Sequence, residues 1–194
     1  MPCAEVSDPA AGGGEGVPRR MVCIDAGTRT SGFVVLGLRE GVLPDVLESS
    51  KEMPNADLLV LLESDRFAAA AIERMRGRGL PTGQDTIDTV EWQGRFRQAL
   101  RQTSGVEASM VFRSEALKNL LGRGTVPKAD AAVRVALMEL YPGTGGGRHP
   151  SVGTKSRPGP LYGVSSHSWA ALAVGLAALG VNVVEGSSPG VVGR

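Results

Sequence analysis

Aromatic side chains are scarce in this 194-residue chain, at 4%, while hydrophobic residues as a whole reach 42%. The core is therefore expected to be built from Ala, Val, Leu and Ile. Cysteine is nearly absent: Cys3 lies near the start and Cys23 inside an apolar run. Two cysteines so placed make no disulfide framework and suit a reducing cytoplasm. No apolar run reaches the roughly 20 residues that span a bilayer. The N-terminus also lacks the apolar core of a signal peptide. The expectation is a soluble cytoplasmic protein, long enough to bury roughly 70% of its unfolded surface without a covalent or metal staple.

Net charge is also small, at +1, and by itself argues neither for nor against a nucleic-acid partner. Its distribution is uneven. Residues 113–157 hold eight basic side chains (Arg113, Lys118, Arg123, Lys128, Arg134, Arg148, Lys155, Arg157) against three acids, Glu115, Asp130 and Glu139. That local charge of +5 is set against −4 over the rest of the chain. Such a half can face phosphate; solvated helix faces and a basic loop explain it equally well.

Residues 1–18 and 186–194 are rich in Gly, Pro and small residues without periodicity and read as flexible tails, flanking one domain over 19–185. MVCIDAG and TSGFVVLGL are two strand-type runs around a turn containing Gly27, a hairpin signal. A third strand is expected near Val46–Ser50. A helix over Asn55–Leu62 follows, with Asn55 as a candidate cap. AAAAIERM at 68–75 reads as a buried strand ending near Glu73. Residues 85–102 read as an amphipathic helix with a stripe of Ile87, Val90, Phe96 and Leu100. A short strand at 108–112 precedes helices at 114–121 and 127–140. The Gly/Pro-rich connection 142–164 is long enough to be functional or disordered. Ser165 and Ser166 are candidate caps for a last helix from His167 to about Leu179.

This order predicts an α/β mixed sheet of five strands, three antiparallel and then two parallel, with helices on both faces. A helical crossover can lay the fourth strand parallel to the first, which would put Asp25 and Glu73 at neighbouring strand ends. Two carboxylates there repel unless a cation lies between them. Mg²⁺ takes carboxylate, water and phosphate oxygens, and metal ions can stabilise both the attacking and leaving oxygens of a phosphodiester. His167, opening the last helix, is the third member of this set. Each has a plainer reading. Asp25 can be a turn former, Glu73 can pair with Arg74 or Arg76, and His167 can serve the helix start.

AAIERM, then LKNLLGRGTVPKAD, then GTKSRPGPLYGVSSHSWAALAVGL, in that order, resemble the RuvC family of Holliday-junction endonucleases, and more closely its phage and prophage branch. The resemblance covers most of 21–180 and implies an RNase H-like fold. It implies Asp25, Glu73 and His167 as metal-binding catalytic residues, with Mg²⁺ or alternatively Mn²⁺. It also implies Lys118 and Lys128 as cations that touch DNA phosphates or stabilise charge in the reaction. Arg76, Arg123, Lys155 and Arg157 are the further candidates for DNA contact. The implied activity is hydrolysis of branched DNA by metal-activated water, leaving a 5′-phosphate, in a homodimer. The helix at 85–102, with Trp92 and Phe96, is the candidate interface.

The chain departs from the family at two positions. Ala170 stands where an aspartate is frequent, and Arg76 stands where some members carry an aromatic that stacks on the opened junction. Ala170 motivates a second reading, a branched-DNA-binding protein of the same fold without activity. IDAGTRTSG motivates a third, since it resembles the first phosphate loop of actin-like and sugar-kinase ATPases. Those proteins need two such domains and a second glycine-rich loop, for which GTGGG at 143–147 is a weak substitute.

Overall fold

The computed structural model describes residues 19–76, 83–121 and 130–181. The expected hairpin forms from β1 (Arg19–Asp25) and β2 (Thr30–Leu38), paired antiparallel from Arg19 opposite Leu38 to Asp25 opposite Gly32. β3 (Asp45–Pro54) adds to β2 as an irregular edge strand. It is longer than expected, because an edge strand with one partner accommodates polar residues such as Glu48, Ser49 and Lys51.

Helix α1 (Asn55–Ser64) then crosses to β4 (Ala69–Arg74), which lies parallel to β1, and α2 (Gln84–Ser104) leads to β5 (Ser109–Phe112), parallel to β4. The sheet order is β3-β2-β1-β4-β5, the mixed five-stranded sheet that the sequence predicts. Helices α3 (Arg113–Leu121), α4 (Asp130–Leu140) and α5 (His167–Ala178) complete the set.

Strand alternation sorts the core into two halves. Met21, Cys23, Val34, Leu36 and Ala71 face α3, α4 and α5. Val22, Ile24, Phe33, Val35 and Ile72 face α1 and α2, where Leu58, Leu62, Phe96 and Leu100 meet them. α5 is apolar nearly all round and buried along most of its length, as a helix sandwiched between sheet and other helices must be. Its backbone lies close to the sheet: a Cβ on Gly175 would fall 2.2 Å from Cys23 Sγ.

Several local expectations are corrected. Asn55 does not cap α1; its buried side chain accepts a bond from Ser31 Oγ (2.6 Å) and donates to the Gly27 carbonyl (3.0 Å), tying α1 to the β1–β2 turn. Neither Ser165 nor Ser166 caps α5 with its side chain. Ser168 Oγ instead receives the Ser165 N–H (2.7 Å) and donates to the Ser165 carbonyl. On α2, Ile87 and Val90 are exposed, and the buried positions are Thr89, Gln93, Phe96, Ala99 and Leu100. Packing against β4 and α1 selects this face, which the apolar stripe alone misplaces by a fraction of a turn. Phe96 is fully buried and so is unavailable to an interface.

The 142–164 connection is folded rather than open. It contains a two-stranded hairpin, β6 (Gly153–Thr154) with β7 (Arg157–Pro158). GTGGG is part of that fold, with Gly145 N–H bonded to the Pro150 carbonyl (2.8 Å), and does not form a loop between a strand and a helix.

Gly175→Ala should destabilise the protein by about 1–3 kcal/mol through overpacking against Cys23. Urea denaturation followed by circular dichroism would show a lower midpoint at unchanged slope; an unchanged midpoint would mean that α5 can move away from the sheet freely.

Candidate active site

β1 and β4 are in register up to Ile24 opposite Ile72. The next residue on each strand is therefore a carboxylate at the same strand end. By alternation Asp25 shares the face of Cys23 and Glu73 that of Ala71, the face that α5 covers. Their side chains are 14% and 13% exposed, so both carboxyls are largely withdrawn from water.

The N-terminus of α5 reaches Asp25 because residue 32 is a glycine. Gly32 pairs with Asp25 across the hairpin, and a Cβ there would stand 2.6 Å from His167 C and Cβ. With no side chain between them, His167 Nδ1 lies 3.1 Å from Asp25 Oδ2, while the ring stays 61% exposed. The residue before it, Ser166, has φ 46° and ψ −124°, and is the one non-glycine residue with positive φ among the described residues. Such a backbone costs of order 1–3 kcal/mol and persists only where its surroundings enforce it.

Arg113, the first residue of α3 after β5, places its guanidinium 3.5 Å from Glu73 Oε2. The backbone carbonyl of Glu73 is held by Gln93 Nε2 of α2 at 2.8 Å. A cleft of about 650 Å³ opens over these groups, lined in part by Asp25, Glu73, Arg113 and His167. Ala170 and Arg134 also line it, and the Arg134 guanidinium lies over the Trp169 ring at 5.5 Å.

Burial dominates the electrostatics. It raises the pKa of Asp25, against the opposing hydrogen bond and charge of His167 and the charge of Arg113. Glu73 is pushed up to about 7, first by burial and then by the negative charge of Asp25. The negative charge of each carboxyl bears on the other, and Glu73 holds its proton to a higher pH than an exposed glutamate would. A divalent cation would replace that proton and satisfy both oxygens, so this donor pair fits a hard metal ion whose remaining ligands are water or phosphate. Among the described residues no three His, Cys, Asp or Glu side chains stand as a ready metal cluster. Asp25 and Glu73 converge, and His167 reaches Asp25.

The other candidates are placed differently. Lys118 is on the exposed side of α3, outside the cleft lining. Arg123 and Lys128 lie outside the described residues. Arg76 is exposed, with its guanidinium over Phe112 at 5.4 Å and that of Arg74 at 5.0 Å from the same ring. Lys155 and Arg157 are exposed on the β6–β7 hairpin. Sequence reasoning counted Arg113 and Arg134 among the basic residues but did not place them in the site. The available signal was position: Arg113 directly follows the strand parallel to the one that carries Glu73.

In backbone fold the chain is similar to a solved structure of RuvC from Thermus thermophilus, at 17% identity and TM-score 0.57, over 83% of this chain and 93% of that one. It is also similar to T. thermophilus RuvC in complex with Holliday junction substrate, at 20% identity and TM-score 0.55, over 82% and 92%. At these identities the likeness establishes the fold. No protein-family model matches the chain, and no curated protein matches it in sequence.

A carboxyl whose folded pKa is raised adds stability below its unfolded value and loses it as pH rises through the folded value. Chelated protein should therefore lose stability between about pH 5 and 8 as Glu73 ionises. Glu73→Gln should flatten that loss, and Mg²⁺ at pH 8 should raise the wild-type melting temperature. Thermal scans across pH test this; a Glu73→Gln profile with the wild-type slope would exclude Glu73 as the source.

Proposed function

We propose that this protein is a metal-dependent, structure-selective DNA endonuclease that cuts four-way junctions or other branched DNA. The observation that carries the proposal is the pair of desolvated carboxyls, Asp25 and Glu73, at adjacent parallel strand ends and on one face of the sheet. Support comes from the fold shared with RuvC, one of whose structures is described as a complex with Holliday junction substrate, and from the resemblance in residues 21–180.

Asp25 and Glu73 would hold the cation, Mg²⁺ or Mn²⁺, with His167 beside them. When bound, it would supply positive charge at the scissile phosphate and acidify the attacking water. The remaining work falls to the chain. Asp25 fixes the His167 ring through Nδ1, which leaves Nε2 to take a proton from the water that attacks phosphorus. The bond from phosphorus to the 3′ oxygen breaks, leaving a 5′-phosphate and a 3′-hydroxyl. Arg113 stands where negative charge grows on the phosphate oxygens, and a cation positioned in advance stabilises that charge. Lys118 and Arg76, with Arg123 and Lys128 from outside the described residues, are assigned to DNA contacts.

Symmetric incision of a four-way junction needs two sites, so the active form is a homodimer. The exposed Ile87 and Val90 of α2, together with the open Gly94, form the proposed contact in place of Phe96. Ala170, on the cleft wall, favours the second reading, a protein that binds branched DNA without cutting it.

Asp25→Asn should lower metal-dependent cleavage of a synthetic four-way junction at least roughly a hundredfold while retaining binding, and Arg113→Gln should lower it by roughly tenfold or more. Binding by the wild type without Mg²⁺- or Mn²⁺-dependent cutting would establish the second reading instead. Sedimentation of the wild type should give a dimer and that of Ile87→Asp/Val90→Asp a monomer; a monomeric wild type on junction DNA would refute the paired-site arrangement.

A further inference from the structure

We infer that the β6–β7 hairpin is a preformed cradle for the DNA sugar-phosphate backbone, which docks one duplex arm and does so without metal. This inference rests on the branched-DNA reading above. No acidic residue occurs between Glu139 and Glu185, whereas Arg148, Lys155 and Arg157 fall within ten positions of one another. All three are exposed, and among the described residues none forms an ion pair. Elsewhere, Arg20, Arg39, Arg95, Arg97 and Arg101 each meet a carboxylate, while exposed cations such as Lys51 and Lys118 also lack an ion pair among the described residues; the hairpin differs in having no acid nearby in sequence. The hairpin is thus a region of uncompensated positive charge, and a polyanion is the partner that such charge fits.

Its scaffold is rigid for a reason visible in the glycines. Gly145, Gly153 and Gly159 stack backbone on backbone. A Cβ on Gly159 would lie 2.3 Å from the Pro150 carbonyl oxygen, and one on Gly145 2.6 Å from Gly153 Cα. Gly153 also takes φ +77°, in the region that favours glycine. Backbone bonds lock the stack: Gly146 N–H to the Arg157 carbonyl (2.9 Å) and Gly159 N–H to the Val152 carbonyl (3.0 Å). Thr154 Oγ1 receives the Arg157 N–H at 3.2 Å, which fixes the tip.

Three anchors join this unit to the domain. Ser151 Oγ donates to the Met138 carbonyl of α4, Tyr141 OH donates to the Pro44 carbonyl, and Leu161 is fully buried. The chain then runs directly into Val164, Ser165 and Ser166, which line the cleft next to His167. A backbone held this way adds little ordering cost of its own when phosphate binds.

The test is fluorescence anisotropy of a labelled four-way junction in EDTA across a salt series, using the full chain. The variants are Arg148→Gln/Lys155→Gln/Arg157→Gln and Gly159→Ala, each checked for folding by circular dichroism. Wild-type cleavage with Mg²⁺ is run alongside. The triple variant should bind at least roughly tenfold more weakly near 150 mM salt, and its slope of log K against log salt should be shallower by roughly 2–3. Gly159→Ala keeps every charge and should still bind severalfold more weakly, because the cations lose their spacing.

Unchanged affinity and slope in the triple variant, with wild-type cleavage intact, would overturn the cradle and leave the endonuclease standing. Hairpin-dependent binding without wild-type cleavage would support the cradle and overturn the endonuclease. Gly159→Ala binding like wild type would overturn the preorganisation, and no DNA binding by the wild type would overturn both readings.

Discussion

The parallel register of β1 with β4 places Asp25 and Glu73 at one strand end and on one face, withdrawn from water. Two ionised carboxyls in that position repel strongly, and the repulsion grows as the surroundings become less polar. The fold meets the constraint in three ways. Glu73 retains a proton at pH values where an exposed glutamate would have lost it. Arg113 approaches from the start of α3, and His167 from the start of α5. These partners come from two helices distant in sequence, so the acidic pair organises the whole end of the sheet rather than one loop.

Close approach of α5 to the sheet is the second requirement, and it follows from small side chains. Gly32 removes the atom that would keep His167 from Asp25, and Gly175 lets the helix backbone pack on Cys23. An aromatic-rich core would hold helix and sheet further apart. The scarcity of aromatics is thus consistent with the geometry of the site. At the helix start the chain accepts a strained backbone at Ser166, whose φ is positive.

Positive charge is arranged around the acidic pair in two grades. Arg113 and Arg134 belong to the cleft itself, the first on Glu73 and the second over the Trp169 ring. The hairpin cations lie further along the chain on a scaffold whose glycines leave little freedom. A net charge of +1 hides this division, because ion pairs on the α2 surface, such as Arg97 and Arg101 with Glu107, neutralise one another.

The sequence by itself determined the order of strands and helices, the parallel placement of β4 beside β1, and the meeting of Asp25 with Glu73. Alternation, helical crossover and glycine turns are local signals with few topological solutions. Tertiary structure decided the rest. It moved Asn55 from cap to tether, turned Phe96 into core while exposing Ile87 and Val90, and folded the 142–164 connection through contacts between distant glycines. It also put Arg113, rather than Lys118, against the acidic pair. Each of these depends on which surface lies opposite a side chain in space, and neither periodicity nor spacing carries that information.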